Sequence, residues 1–141
     1  MSGREFFDTN IFIYLYAENE RDKQSICKEV INKAGECITS TQVLNEINNV
    51  LIRKWQLPAE TVKTVQQDVR RISEVEYVSE KTIDKAIDIN DKYGFSYYDC
   101  LMLASALDSN CKTIYTEDMN NGQVIEDTLM IVNPFISTKN T

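Results

Sequence analysis

Apolar residues in this chain fall into short dense runs that alternate with longer stripes at helical spacing. Phe6-Phe7 is an aromatic run suited to a buried strand. It ends on Asp8-Thr9-Asn10, whose short oxygen side chains suit the start of a helix. Residues 20–34 carry Ile26, Cys27, Val30 and Ile31 among charges, and Gly35 stops that helix. Cys37-Ile38-Thr39 predicts a strand. Ser40 or Thr41 then caps a helix striped by Val43, Leu44, Ile47, Val50 and Leu51. Pro58 opens a further helix, with Val62, Val65, Val69 and Ile72 inward and Lys63, Gln66 and Arg70 outward.

Glu76-Tyr77-Val78 predicts a brief strand, after which Ser79 caps a helix bearing Ile83, Ala86, Ile87 and Tyr93, ended by Gly94. Ser96 starts another helix that is apolar on nearly every side from Cys100 to Leu107, the pattern of a buried central helix. Lys112 to Thr116 and Leu129 to Val132 predict the last strands, separated by a loop from Glu117 to Asp127 with the turn signal Asn120-Asn121-Gly122. Strands alternate with helices and no hairpin signal joins neighbouring strands. The expected architecture is α/β: one three-layer domain over residues 1–141, with a central parallel sheet of four or five strands flanked by helices. Its core runs from about residue 4 to residue 135, and the polar tail, 136–141, is expected to fray.

The 141 residues are enough to bury a core without staples, and 43% hydrophobic with 26% charged residues is an ordinary globular balance. No apolar run approaches the ~18 residues of a membrane span, and Met1 to Glu5 lacks a signal-peptide layout. Cys27, Cys37, Cys100 and Cys111 form no C-x-x-C pair and sit in apolar or strand-like settings. They are expected to be buried free thiols in a reducing compartment, which places the protein in the cytoplasm. Histidine is absent, which excludes Ser-His-Asp and Cys-His hydrolysis, His-paired ribonuclease chemistry and mixed Cys/His zinc sites. What remains for an enzyme is carboxylates, lysines, tyrosines, thiols or a hard metal ion.

Four acids stand at matching places. Asp8 and Asp118 each follow the carboxyl end of a strand, where open α/β sheets place their ligands. Asp99 opens the apolar helix, where Ser96 and Asp99 also fit a capping box. Glu46 lies about 100° from the middle of its helix's apolar stripe, at the border of the buried face. Singly, each acid is explained as well by a cap, a turn or a solvated face. Together, four converging carboxylates would repel unless cations bind between them, and carboxylate oxygens select hard ions such as Mg²⁺ or Mn²⁺.

Phe7-Asp8-Thr9-Asn10, Leu44-Asn45-Glu46-Ile47, Tyr98-Asp99 before Leu101-Met102-Leu103-Ala104, and Tyr115-Thr116-Glu117-Asp118 occur in that order. With these motifs the chain, from about Phe6 to Pro134, resembles PIN-domain proteins. Within that group it is most similar to the VapC-type ribonuclease toxins of toxin–antitoxin modules. The resemblance implies a parallel sheet with the acids at its carboxyl edge and metal-dependent endonucleolytic cleavage of RNA. It implies that Asp8, Glu46, Asp99 and Asp118 are catalytic and hold one or two Mg²⁺ or Mn²⁺ ions, with Thr9, Asn10 and Thr116 bracing them. Glu117 competes with Asp118 for the last place. An antitoxin protein and a second copy of the chain are the implied partners, with no membrane.

The net charge of −7 opposes an electrostatic grip on RNA, although two divalent ions carry +4 and would bring it to −3. Arg53, Lys54, Lys63, Arg70 and Arg71 offer either a phosphate-contacting rim or a merely solvated face. Tyr97, Tyr98 and Trp55 could stack on bases or simply pack, and Trp55-Gln56-Leu57 reads as exposed. The alternative function is a catalytically silent PIN-like scaffold that binds a protein or RNA partner. A phosphoryl-transfer receiver is disfavoured because Thr116-Glu117-Asp118 offers no lysine after the strand.

Overall fold

In the computed structural model, which describes residues 3–136, β1 (Arg4–Phe7) is an inner strand of a six-stranded sheet. It pairs in parallel with β2 (Glu36–Ser40), and β2 pairs in parallel with β3 (Glu74–Glu76). On its other side β1 pairs with β4 (Thr113–Tyr115), so that Phe6 stands opposite both Ile38 and Ile114. β5 (Val124–Ile125) and β6 (Leu129–Val132) complete the order β3-β2-β1-β4-β6-β5. The chain therefore adds strands to one side of β1, then returns to build on the other. The β1–β4 pair is the topological switch point, where crossovers diverge and leave a crevice at the strands' carboxyl ends.

The helices are α1 (Thr9–Tyr14), α2 (Arg21–Lys33), α3 (Thr41–Asn49), α4 (Ala59–Ile72), α5 (Glu80–Tyr93) and α6 (Tyr97–Asp108). They pack as two groups, α5 with α6 and α1 with α2, α3 and α4, while α6 also lies against β2 and β4. As its unbroken apolar run requires, α6 buries every residue from Cys100 to Ala106. The core joins α6 to Phe6, Phe7, Phe12, Ile38 and Ile114, all fully buried. Ser40 caps α3 by accepting from the Val43 amide, and Ser79 forms a capping box with Thr82. Gly94 ends α5 at φ 79°, a left-handed conformation that glycine adopts without strain. At the amino ends of the strands, Arg4 bonds Glu36 (2.7 Å), Glu74 (2.6 Å) and the Ser109 carbonyl (2.6 Å). One guanidinium thus fastens β1, β2, β3 and the end of α6.

Several boundaries differ from expectation. The sheet has six strands rather than four or five: β5 lies inside the expected loop and pairs antiparallel with β6, the strand expected at Leu129 to Val132. Glu126 and Asp127 both take positive φ (50° and 61°) at its turn, where Asn-Gly or Asp-Gly would have signalled the hairpin. β3 spans 74–76 instead of 76–78, because Val75 pairs with Thr39 while Tyr77 projects outward, 76% exposed. α3 runs on into a π-helical turn, Val50–Lys54, that carries Leu51 into the core. Trp55 is half-buried against the core rather than exposed, and Leu57 packs there too. Pro58 occupies the cap position just before α4. Ser96 stands at the α6 cap without a side-chain capping bond, so the expected capping box is not formed. Of the expected frayed tail, Ile136 is exposed and the remainder lies outside the described residues.

All four cysteines are free; Cys27, Cys100 and Cys111 are buried and Cys37 is half-buried. Among the described residues no helix is long and apolar enough to cross a membrane.

Candidate active site

The switch point gathers three of the four acids that the sequence singled out; Asp99 does not line the depression they share, and its charge acts on Asp118. Asp8 follows β1 and Asp118 follows β4, two adjacent parallel strands in which Phe7 pairs with Tyr115. Glu46 is carried by α3, which leaves the end of β2, and Asp99 lies in the first turn of α6. Asp8, Glu46 and Asp118 line one depression of about 410 Å³ together with Thr9, Asn10 and Asn45.

Asp8 is the innermost, only 4% exposed. It caps α1: its Oδ1 accepts from the Thr9 amide (2.5 Å) and its Oδ2 from the Thr116 hydroxyl (2.7 Å). Burial pushes its pKa up to about 6, and the charges of Asp118 and Glu46 push the same way against those two hydrogen bonds. Thr116 also accepts from the Asp118 amide (3.1 Å), so one fully buried hydroxyl locks Asp8 and the Asp118 backbone together. Asp118 itself is exposed, and its pKa is raised by partial burial first and then by Glu117, Asp99 and Glu46.

Glu46 is half-buried and both of its oxygens are held. Thr9 donates its hydroxyl to Oε1 (2.6 Å), and Gln42 donates its amide to Oε2 (2.9 Å). The same Gln42 nitrogen donates to the carbonyl of Tyr98 (3.0 Å), the residue before Asp99. Gln42 thus ties the helix bearing Glu46 to the start of the helix bearing Asp99. Nothing in the sequence singles out Gln42, because an amide one turn before Glu46 carries no signal of a partner 56 residues away.

Glu117 points elsewhere. Its Oε1 accepts from Tyr14 (2.5 Å) and Asn10 (3.3 Å), and its Oε2 pairs with Lys23 (3.1 Å). Lys23 also donates to the Tyr14 hydroxyl and lies 4.7 Å from that ring's centre. β4 has ended by this point and the chain bends, so Glu117 turns to α1 and α2 while Asp118 lines the depression. Asn10 therefore braces Glu117, whereas Thr9 and Thr116 hold Glu46 and Asp8.

Among the described residues, no ion pair reaches Asp8, Glu46, Asp99 or Asp118. A buried carboxylate edged by further carboxylates and lacking a cation suits a hard divalent ion, and the donor set is all oxygen. No three acidic or thiol groups among the described residues stand close enough together to enclose an ion as arranged. Of the basic residues, Arg53, Lys54, Lys63, Arg70 and Arg71 are all exposed. Lys63 and Arg70 line a shallow cavity of about 290 Å³ with Asn48, while Arg71 pairs with Asp68.

Comparison with known proteins gives two kinds of match. The PIN domain family model matches residues 6–123. Among solved structures, one similar chain is Mycobacterium tuberculosis VapC20, described as a toxin cleaving the sarcin–ricin loop. It is 17% identical, with TM-score 0.66, covering 81% of this chain and 91% of that one. A toxin–antitoxin complex from Klebsiella pneumoniae gives 17% identity and TM-score 0.70 over 93% and 98% of the two chains. VapBC2 from Rickettsia felis, solved bound to a fragment of its promoter DNA, gives 16% identity and TM-score 0.61 over 82% and 89%. At these identities the likeness is one of fold. No curated protein matches the chain in sequence.

Proposed function

Since the chain belongs to the PIN-domain family, we propose that it is a metal-dependent endoribonuclease, the toxin of a toxin–antitoxin module. The observation that carries this reading is Asp8: a carboxylate buried at the switch point, edged by Glu46 and Asp118 with Asp99 nearby, and paired with no cationic side chain among the described residues. Asp8, Glu46, Asp99 and Asp118 would hold one or two Mg²⁺ or Mn²⁺ ions. Glu117 is set aside because it is already neutralised by Lys23 and does not line the depression. A divalent ion in this setting supplies Lewis-acid activation of water and charge neutralisation at the phosphodiester.

The chain's own residues supply position. Thr116 and the Thr9 amide fix the Asp8 carboxylate, Thr9 and Gln42 fix Glu46, and the Gln42 bond to Tyr98 sets the start of the Asp99 helix. Lys63 and Arg70, with Arg53 and Lys54 at the end of the π-helical turn, would meet the RNA backbone. The partners are the RNA substrate, a second copy of the chain, and an antitoxin. A Lys or Arg from the antitoxin entering the depression would neutralise the acids and block hydrolysis without reshaping the fold. The cell compartment is the cytoplasm.

The test is cleavage of a mixed RNA pool by purified protein in Mg²⁺ or Mn²⁺, with and without chelator, beside Asp8→Asn. Cuts that need the ion and vanish in a folded Asp8→Asn chain are expected. RNA left intact under every condition would leave the binding-scaffold reading instead.

A further inference from the structure

A second groove of about 410 Å³ adjoins the acidic depression, and Asn45 and Glu46 line both. Its other walls are Gln42 from α3, Val78 from the segment before α5, and Tyr98 and Leu101 from α6. Its volume falls within the range of small-ligand sites. Glu46 is its one charged residue, so the lining offers no cation to a phosphate. Tyr98 is 67% exposed, at the open first turn of a helix that is buried from Cys100 to Ala106. That ring is nevertheless held. Its backbone carbonyl accepts from Gln42 (3.0 Å), and Tyr97 braces it edge-on, with centroids 5.5 Å apart and planes at 70°. The far wall is fixed as well, since the Val78 amide donates to the Thr41 hydroxyl (3.2 Å).

We propose that this groove is a nucleobase subsite, in which one unpaired base of the RNA stacks on Tyr98 beside the phosphodiester presented to the acids. The proposal rests on the RNA reading above. A base is flat, neutral and edged with donors and acceptors. The groove offers it an exposed aromatic face, apolar sides in Val78 and Leu101, and the exposed amide of Asn45. Because the groove shares Asn45 and Glu46 with the acidic depression, a nucleotide seated there has its sugar–phosphate beside the acids. A base seated here therefore sets which phosphodiester is presented.

The probes are short single-stranded RNAs carrying 2-aminopurine at successive positions, mixed in Mg²⁺ with the full Asp8→Asn chain so that cleavage is suppressed. One probe position should lose fluorescence on binding. Adding Tyr98→Leu should abolish that quench and weaken binding about tenfold, the weight of one base–aromatic stack. Tyr98→Phe should restore both, and an unchanged melting temperature in Tyr98→Leu confirms that the exposed ring does not hold the fold. Equal affinity and quenching in Tyr98→Leu would overturn the subsite and leave the nuclease reading standing. Loss of dimers on Tyr98→Leu in sedimentation, with RNA affinity unchanged, would overturn it in favour of a second copy covering the groove. Absence of RNA binding with Tyr98 intact would remove the RNA reading and the subsite together.

Discussion

Replacing Asp8 by asparagine should stabilise the metal-free protein at neutral pH, although Asp8 makes two good hydrogen bonds. An aspartate raised from 3.8 to about 6 on folding is neutral-preferring in the fold. Its contribution to stability is fully present below pH 3.8 and is lost as pH rises through about 6. At about 1.36 kcal/mol per pH unit, ionised Asp8 costs the fold about 3 kcal/mol by pH 7. A carboxamide at this position keeps the shape and avoids that cost. The Thr9 amide can still donate to its oxygen, but Thr116 Oγ1 then meets an NH₂ group and one hydrogen bond must be rebuilt, a loss of about 1 kcal/mol. The net gain is about 2 kcal/mol at pH 7, or about 6–10 °C in melting temperature for a domain of this size. Near pH 4 the advantage should vanish. Asp118, also raised, bends the wild-type profile in the same direction.

The assay is thermal unfolding of both proteins in chelator from pH 4 to 8, repeated with Mg²⁺. A ligand at a hundredfold excess over its Kd adds about 2.7 kcal/mol to the wild type. That gain should shrink in Asp8→Asn. A variant no more stable than wild type at pH 7, with a parallel pH profile, would show that Asp8 is not an uncompensated buried charge.

Gln42→Leu keeps the volume but releases Glu46 and the Tyr98 carbonyl. Urea unfolding should show a loss of about 1 kcal/mol, softened because Gln42 Oε1 has no partner to lose, and initial cleavage rates should fall about tenfold. Cleavage at the wild-type rate would remove Gln42 from the positioning network. The thiols of Cys27, Cys37 and Cys111 are pushed up to about 12, chiefly by burial. A thiol reagent at pH 8 should therefore label them slowly in the native protein and fast in denaturant, and equal rates would contradict their burial.

The site's outline was legible because its signals are local. Asp8 reads as a strand end and a helix cap at once, and it is both. The unbroken apolar run of α6 foretold its burial, which in turn places Asp99 at the core's edge. Ser40, Ser79 and Gly94 punctuate the helices as their chemistry dictates. What stayed hidden depends on contacts distant in sequence or on backbone that side chains do not advertise. Gln42 acts through a carbonyl 56 residues away, and Glu117 could be parted from Asp118 only once Lys23 and Tyr14 were seen beside it. The β5–β6 hairpin turns on Glu126-Asp127, which lacks the glycine that normally marks a turn with two positive φ angles, so its turn chemistry gave no warning. Trp55 follows a π-helical turn that shifts the helical register, which is how a ring that reads as exposed meets the core.

Calorimetric titration with Mn²⁺ tests whether Asp8, Glu46, Asp99 and Asp118 act together as a divalent-metal centre. Wild type should bind one or two ions, Asp118→Asn should weaken binding at least tenfold, and Glu117→Gln should leave it within about twofold, a few tenths of a kcal/mol. Absence of Mn²⁺ binding in wild type, or an unchanged affinity in Asp118→Asn beside a collapse in Glu117→Gln, would show that these four acids are not the metal centre.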